Sequence, residues 1–449
     1  MKTEVSLRKS LTLFPVVYLG LAWMTPMIYF SVYGIAYETS QGMLTQAYLL
    51  AFLAIFFTAC SYGIMSKTFP TSGSAYTYVK KSIHPALGFL VGWALLLDYL
   101  FSPLIACLTF GIYLHAQFPS IPAYVWIIIL NAILAIINVM GINFSANISK
   151  IFVWIQMVFI VVFCAFLIKN LTGVVHPLQP LIQSEVPLST ILAGASIICF
   201  CFLGFDSVTT MAEETIDAKK TIPKAILIII SIAIVLYMVP SYLTQLAFPN
   251  MSFQNIDSAG FEVVTLIGGA GLSALFITVL ILAIFTQGLS SVASTSRLLY
   301  VMGRDSELPK RVFGTLHSKF KTPVINITIV SLFSLLALVI SLETAVKFVS
   351  FGALTAFIFV NLSVIVQRYI KDKQRSFKQT IVYLVFPLTG ASFIGWLLSL
   401  LDKNALLIGL LWLLLGMAYH FYQKNSLKSV AKSSRDMQTH PAPTFSNEL

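Results

Sequence analysis

The sequence predicts an all-α integral membrane protein with twelve transmembrane helices, and three observations lead there. Of its 449 residues, 58% are hydrophobic and only 10% are charged, whereas a soluble domain carries about 25% charged residues. The apolar residues fall in runs of about 20, enough to cross a hydrocarbon core as a helix and about twice the length of a barrel strand. The basic residues are shared unevenly between alternate loops. With the N-terminus placed in the cytoplasm, 25 of the 28 Lys+Arg lie on the cytoplasmic side, and only Lys169, Lys347 and Lys403 lie outside. That bias follows the positive-inside rule, and a missed or invented span would blur it. It also explains the net charge of +11 as loops beside an anionic leaflet, so nucleic acid is not expected as a partner.

Along the chain, residues 1–12 (MKTEVSLRKSLT) are polar and basic and lack a cleavage site, which predicts a cytoplasmic N-terminus. Span 1, 13–36, is interrupted at residues 20–26 (GLAWMTP). Span 2 is 44–65. The loop that follows, FPTSGSAYTYVKKSIHP, is too polar to cross and is expected to fold at the cytoplasmic end. Span 3, 86–116, is long enough to tilt strongly and carries Asp98. Spans 4 and 5 are 122–140 and 150–168. Span 6, 190–213, is interrupted at LGFDS. Span 7, 223–247, begins at Pro223, which suits a first helical turn. Span 8, 271–300, is again about 30 residues and leads into a basic loop. Spans 9 to 12 are 323–341, 344–367, 380–400 and 404–423, and the polar residues 424–449 read as a disordered tail.

The features recur. The interruptions of spans 1 and 6 are about 180 residues apart, and the two long spans 3 and 8 about 185. Five spans per copy is an odd number, so the second copy is inverted in the membrane. Residues 13–168 and 190–367 then form two inverted repeats, with 380–423 as an accessory pair. Inverted repeats whose first helices are broken are an architecture of alternating-access transporters.

The candidate site follows from the two breaks. At the first, Gly20 is flexible and Pro26 removes a backbone donor; with Thr25 they can unwind the helix. At the second, Gly204 and Phe205 precede Asp206. A carboxylate inside a membrane costs about 2.5–3.5 kcal/mol on insertion scales. Asp206 therefore serves either a cationic ligand or proton, or caps its own half-helix. Asp98, followed by Tyr99, is the clearest unpaired intramembrane acid. It reads either as a partner for an ammonium group, with aromatic support, or as a carboxyl held protonated or hydrogen-bonded. Glu213 and Glu214, followed by Lys219, Lys220 and Lys224, read as a gate of ion pairs or as a solvated loop. Ser290, Ser291, Ser294 and Thr295 either supply oxygens to an ion or serve packing. The five cysteines are odd in number, lie in apolar segments and read as packing residues. The six histidines are scattered. No Walker loop, G-x-S-x-G or H-E-x-x-H is present, so neither an ATP-driven pump nor a membrane hydrolase is expected, and no cofactor or metal.

Three stretches resemble the signature of the amino acid–polyamine–organocation transporter superfamily: GFDSVTTMAEETIDAKKTIPKAI, SRLLYVMGRDSELPKRV and FPTSGSAYTYVKK. The resemblance runs in order over residues 8 to 423. It implies a leucine-transporter-like five-plus-five inverted repeat with two accessory helices, and secondary transport driven by an ion or by exchange. LRKSLTL, GLAWMTPM, AYTYVKKSIHP, LLLDYLF and GFDSVTTMAEET look like the branch of bacterial putrescine importers, which implies a bacterial inner-membrane location and a small cationic amine as substrate. Amino acid members usually open the first helix with a glycine-rich nest for the substrate's α-carboxylate. Here only Gly20 remains, beside bulky Leu21, Trp23 and Met24. The resemblance thus places Gly20, Trp23, Thr25, Asp98, Tyr99, Gly204, Phe205 and Asp206 around a diamine. Some proton-coupled members carry a lysine in the fifth helix, where this chain has Gln156. Proton coupling then falls to Asp98, Asp206 or Glu213, with sodium left open. No obligate protein partner is expected. The alternatives are an amino acid permease or exchanger of the same fold and a transporter-like sensor.

Overall fold

The computed structural model describes residues 7–171, 177–182, 186–254, 256–401 and 403–439, with side chains to residue 423 except that of residue 257. Ten of its helices are long and apolar enough to cross a membrane. A bent pair forms one further candidate, and Val324–Leu338 is a shorter apolar helix. Among the described residues the one β-type pairing is an isolated bridge between Leu11 and Thr215. The chain is a multi-pass membrane protein.

The first span is two half-helices, α1 (Leu13–Met24) and α2 (Ile28–Thr39), bent by 44°. Pro26 is the cause. It disfavours α geometry in the residue before it, and Thr25 adopts φ 54°, ψ 100°. Thr25 limits the damage, since its N–H donates to Leu21 O at 2.8 Å and its hydroxyl to Ala22 O at 3.0 Å. The break is narrower than residues 20–26. Gly20 lies inside α1, where a Cβ would come within 2.3 Å of Ile229 Cδ1 and 2.8 Å of Val208 Cγ1. It is a point of close helix packing, not an opening.

Next come α3 (Leu44–Thr68), a short buried helix α4 (Ser74–Ser82) made by the polar loop, α5 (Pro85–Gln117), α6 (Ala123–Met140) and α7 (Ile142–Lys169). α7 begins eight residues earlier than expected, so Lys150 lies within it. The second broken span is α8 (Leu188–Ile198), one turn of 3₁₀ helix, and then α9 (Phe205–Glu214), also 3₁₀. Between them Leu203 is extended and Gly204 has φ 107°, a conformation costly for any residue with a Cβ.

α10 (Ala218–Ala247) starts before Pro223, which sits inside the helix rather than in its first turn. α11 (Ala259–Arg304) begins twelve residues before the expected 271 and is kinked at Gly269, φ 62° and ψ −161°. α12 is Val324–Leu338, α13 Leu342–Lys371, α14 Phe377–Ser399 and α15 Lys403–Thr439. α15 runs past the boundary expected at 423, so helix replaces the first part of the expected disordered tail; residues 440–449, and 1–6 at the other end, lie outside the described residues. α5 is the most buried of the long helices, and α14 and α15 are the least. α15 docks on α5 through Trp93 and Trp412, stacked 4.9 Å apart, each indole N–H donating to the other's backbone carbonyl.

Candidate functional site

The two breaks meet at the centre of the bundle. A Cβ on Gly204 would lie 2.0 Å from Trp23 Cδ1, so the absence of a side chain there lets the last turn of α1 rest on the second break. Trp23 also packs on Tyr99 of α5, ring centroids 5.0 Å apart. Phe205, the first residue of α9, stacks its edge on Tyr62 of α3 at 5.5 Å and lies 5.3 Å from Phe357 of α13. Five elements thus converge on this point.

Two carboxyls are buried there, Asp98 at 1% exposure and Asp206 at 0%. Tyr99 connects them. Its hydroxyl donates to Asp206 Oδ2 at 2.8 Å, and it follows Asp98 directly on α5. Thr295 of α11 holds that turn by donating to Tyr99 O at 2.5 Å, and Gly352 of α13 lets a neighbouring backbone approach it, since a Cβ would meet Asp98 N at 2.8 Å. Ser102 donates to Asp98 Oδ1 at 3.2 Å. Asp98 Oδ2 and Asp206 Oδ1 have no hydrogen-bond partner. Asp206 stands in the first turn of α9, where a helix dipole favours negative charge, and backbone N–H groups of Gly204 and Asp206 itself lie close to its carboxyl. Its Oδ2 accepts from Tyr99, and its Oδ1 is left over. Asp206 lies within electrostatic reach of Asp98, and among the described residues no lysine or arginine forms an ion pair with either. The result is a paired-acid centre with free oxygens and aromatic walls, suited to a buried cation.

The remaining expected residues lie elsewhere. Thr25 is spent on the broken end of α1. Gln156 is fully buried on α7 and donates to Thr286 of α11 at 3.2 Å; among the described residues no hydrogen bond joins it to Asp98 or Asp206. Glu213 closes α9 at the end that carries most of the basic residues, where Arg304 grips it with two bonds of 2.7 and 2.9 Å. The expected lysine partners are not the ones used.

Arg297 was hidden from sequence reasoning because it reads as a loop charge after a span. It is 1% exposed and pairs with Glu214 through Nε and Nη2, while its Nη1 donates to Ala293 O at 2.7 Å. The N-terminal segment adds to this junction, as Ser10 N and Leu11 N both donate to Glu214 O at 2.9 Å. Beside it Lys80 bonds Asp305 and Glu307 at 3.1 and 2.8 Å, and Tyr76 donates to Asp305 at 2.8 Å. Burial, then the Asp305 charge, holds the Tyr76 phenol far above its ordinary pKa, so it remains a donor. Tyr62, a wall of the site, was also missed, since an aromatic in an apolar helix carries no distinguishing signal.

Residues 16–431 match the family model described as amino acid permease. The chain is 38% identical to the low-affinity putrescine importer PlaP of Escherichia coli (strain K12), over 99% of this chain and 97% of that protein. It is 26% identical to the branched-chain amino acid permease BcaP of Bacillus subtilis (strain 168), over 93% of each. It is 28% identical to cationic amino acid transporter 4 of Mus musculus, over 82% of this chain and 61% of that protein.

Proposed function

For a chain that belongs to the amino acid permease family, and is therefore a transporter rather than an enzyme, we propose secondary active import of putrescine or a related small diamine by alternating access. The observation that carries this is the acid pair Asp98 and Asp206, both buried, with Tyr99, next to Asp98 on α5, bonded to Asp206, and with no ion pair to either among the described residues. Each acid offers a free oxygen to an ammonium, a group with three donors and no acceptor. Trp23, Tyr99 and Phe205 pack around this point and supply the aromatic surroundings that favour a cation. The 38% identity to a putrescine importer supports the same substrate class.

The finer architecture of the proposal is twelve spans, N- and C-termini in the cytoplasm of a bacterial cell, with α1–α7 and α8–α13 as inverted repeats and α14 and α15 as accessories. Rocking of one repeat against the other alternates access to the paired acid. A proton supplies the coupling, carried on Asp98 or Asp206. Glu213, held by Arg304 and Ser72, belongs to the closure at the basic end.

An amino acid permease of the same fold is the second reading, favoured by the similarity to BcaP and to the cationic amino acid transporter. Against it stands the carboxyl pair Asp98 and Asp206, which repels an α-carboxylate; at the first break the Thr25 and Ile28 N–H groups are bonded to Leu21 O and Thr25 O, while those of Met27 and Tyr29 have no backbone partner among the described residues. Uptake of labelled putrescine into proteoliposomes under imposed gradients tests the proposal. Accumulation is expected with an inward proton gradient; accumulation only with a sodium gradient refutes proton coupling, and none under either gradient refutes diamine import.

A further inference from the structure

Buried polar atoms without a partner are scarce in folded proteins, because each has given up its hydrogen bonds to water. In this protein several gather along one line. Tyr62 Oη, Ser74 Oγ, Tyr78 Oη and Ser207 Oγ are buried and unpartnered, as are the free oxygens of Asp98 and Asp206. The line has a direction. Asp206 and Ser207 lie in the first turn of α9, and Glu213 and Glu214 close it. The Tyr62 ring is 6.1 Å from that of Tyr78, and Tyr62 is within electrostatic reach of both acids. The Ser74 and Tyr62 hydroxyls lie close enough to interact, as do those of Tyr78 and Thr209, nearly one turn further along α9, but neither pair has the geometry of a full hydrogen bond. Just before Ser74, Ser72 binds Glu213 twice, through its N–H at 3.3 Å and by accepting from Glu213 N at 3.0 Å. Glu213 in turn lines a cleft of about 380 Å³, with Lys9, Pro70, Asp217 and Lys219.

Buried hydroxyls without a partner also occur on other helices, at Ser145, Ser149 and Ser241; what distinguishes the strip is its position between the carboxyl pair and Glu213, where adjacent Thr209 and Thr210 are bonded back to Asp206 O and Ser207 O. The unbonded hydroxyls stand where an amine leaving the carboxyl pair would need oxygen acceptors, and two of them belong to aromatic rings that attract cations. The nearby cations are committed to other acids: Arg297 to Glu214, Arg304 to Glu213 and Lys80 to Asp305 and Glu307.

We propose that the hydroxyls of Tyr62, Ser74, Tyr78 and Ser207 line the passage by which an ammonium-bearing substrate moves between the carboxyl pair and the cleft at the basic end, closed by the junction of Glu213 with Arg304 and Ser72. This rests on the transport reading above. On opening, the strip gains water or substrate as partner, and in the closed state the ion pairs hold it shut.

The test uses the full chain carrying Ser74→Cys or Ser207→Cys. Modification by a small cationic methanethiosulfonate is followed by peptide mass spectrometry, with buried Cys107 as the internal control. Both introduced cysteines are expected to react several-fold faster when Arg304→Ala is added, and more slowly in saturating putrescine. Reaction no faster than Cys107 in the Arg304→Ala background, or rates indifferent to putrescine in a protein that transports it, overturns the passage. Tyr62→Phe keeps the ring and removes one hydroxyl; putrescine turnover is expected to fall about two- to tenfold, the worth of one hydrogen bond, at unchanged folded yield. Unchanged turnover also overturns the proposal. The Arg304→Ala comparison needs no substrate, so failure of putrescine uptake by the unsubstituted protein and failure of the passage are read separately.

Discussion

Replacing Asp98 by Asn separates a binding role from a structural one. The amide keeps an oxygen for the Ser102 hydroxyl, which now donates to Oδ1 at 3.2 Å, and it nearly preserves side-chain volume beside Gly352. What changes is the unpartnered Oδ2, an acceptor replaced by an N–H₂ that turns donors towards a donor-only ammonium. The loss is one charge-assisted hydrogen bond, about 1.5–3 kcal/mol, which corresponds to roughly 10- to 150-fold in affinity. Folded stability is not expected to fall, because Asn fills the same space, keeps the Ser102 contact and removes an ionisable group that faces Asp206. Initial rates of labelled putrescine uptake in proteoliposomes give KM, and thermal melting of the purified variant gives stability. A KM equal to the parent's refutes the reasoning, and so does a melting temperature that drops in step with uptake.

Three other outcomes are expected. Arg297→Met leaves Glu214 buried and unpaired, costing about 3–5 kcal/mol, which a thermal melt reads; adding Glu214→Leu should restore much of it, and no restoration contradicts the pairing. Gly204→Ala forces a Cβ onto a φ of 107° and into Trp23, about 1–3 kcal/mol of backbone strain before the clash, so uptake and melting temperature should both fall. Trp93→Phe removes an indole donor from the α5–α15 contact, about 0.5–1.5 kcal/mol, and should lower the melting temperature while putrescine KM stays unchanged.

Much of the site could be read from acids placed against their surroundings. Asp98 and Asp206 stood out because a carboxylate in an apolar run has few tolerable explanations, and they do share one buried centre. The first break was anticipated from Pro26, but Gly20 was misassigned. Glycine signals either freedom or close approach, and only the side chains of Ile229 and Val208 reveal which. Arg297 escaped because hydropathy places a charge near a span end in water; its burial depends on Glu214, 83 residues earlier. The same limit hid Tyr62 and the Ser72–Glu213 bonds, contacts 141 residues apart in the latter case. Periodicity reports the environment of a helix, not the partner of a side chain.

The most direct measurement is competition in proteoliposomes containing the purified chain, with labelled putrescine and a labelled branched-chain or cationic amino acid offered in turn. Saturable putrescine uptake, suppressed by excess unlabelled diamine and untouched by excess amino acid, is the predicted result. Uptake of an amino acid that excess putrescine leaves unchanged, with no carriage of putrescine itself, would contradict a diamine site at Asp98 and Asp206.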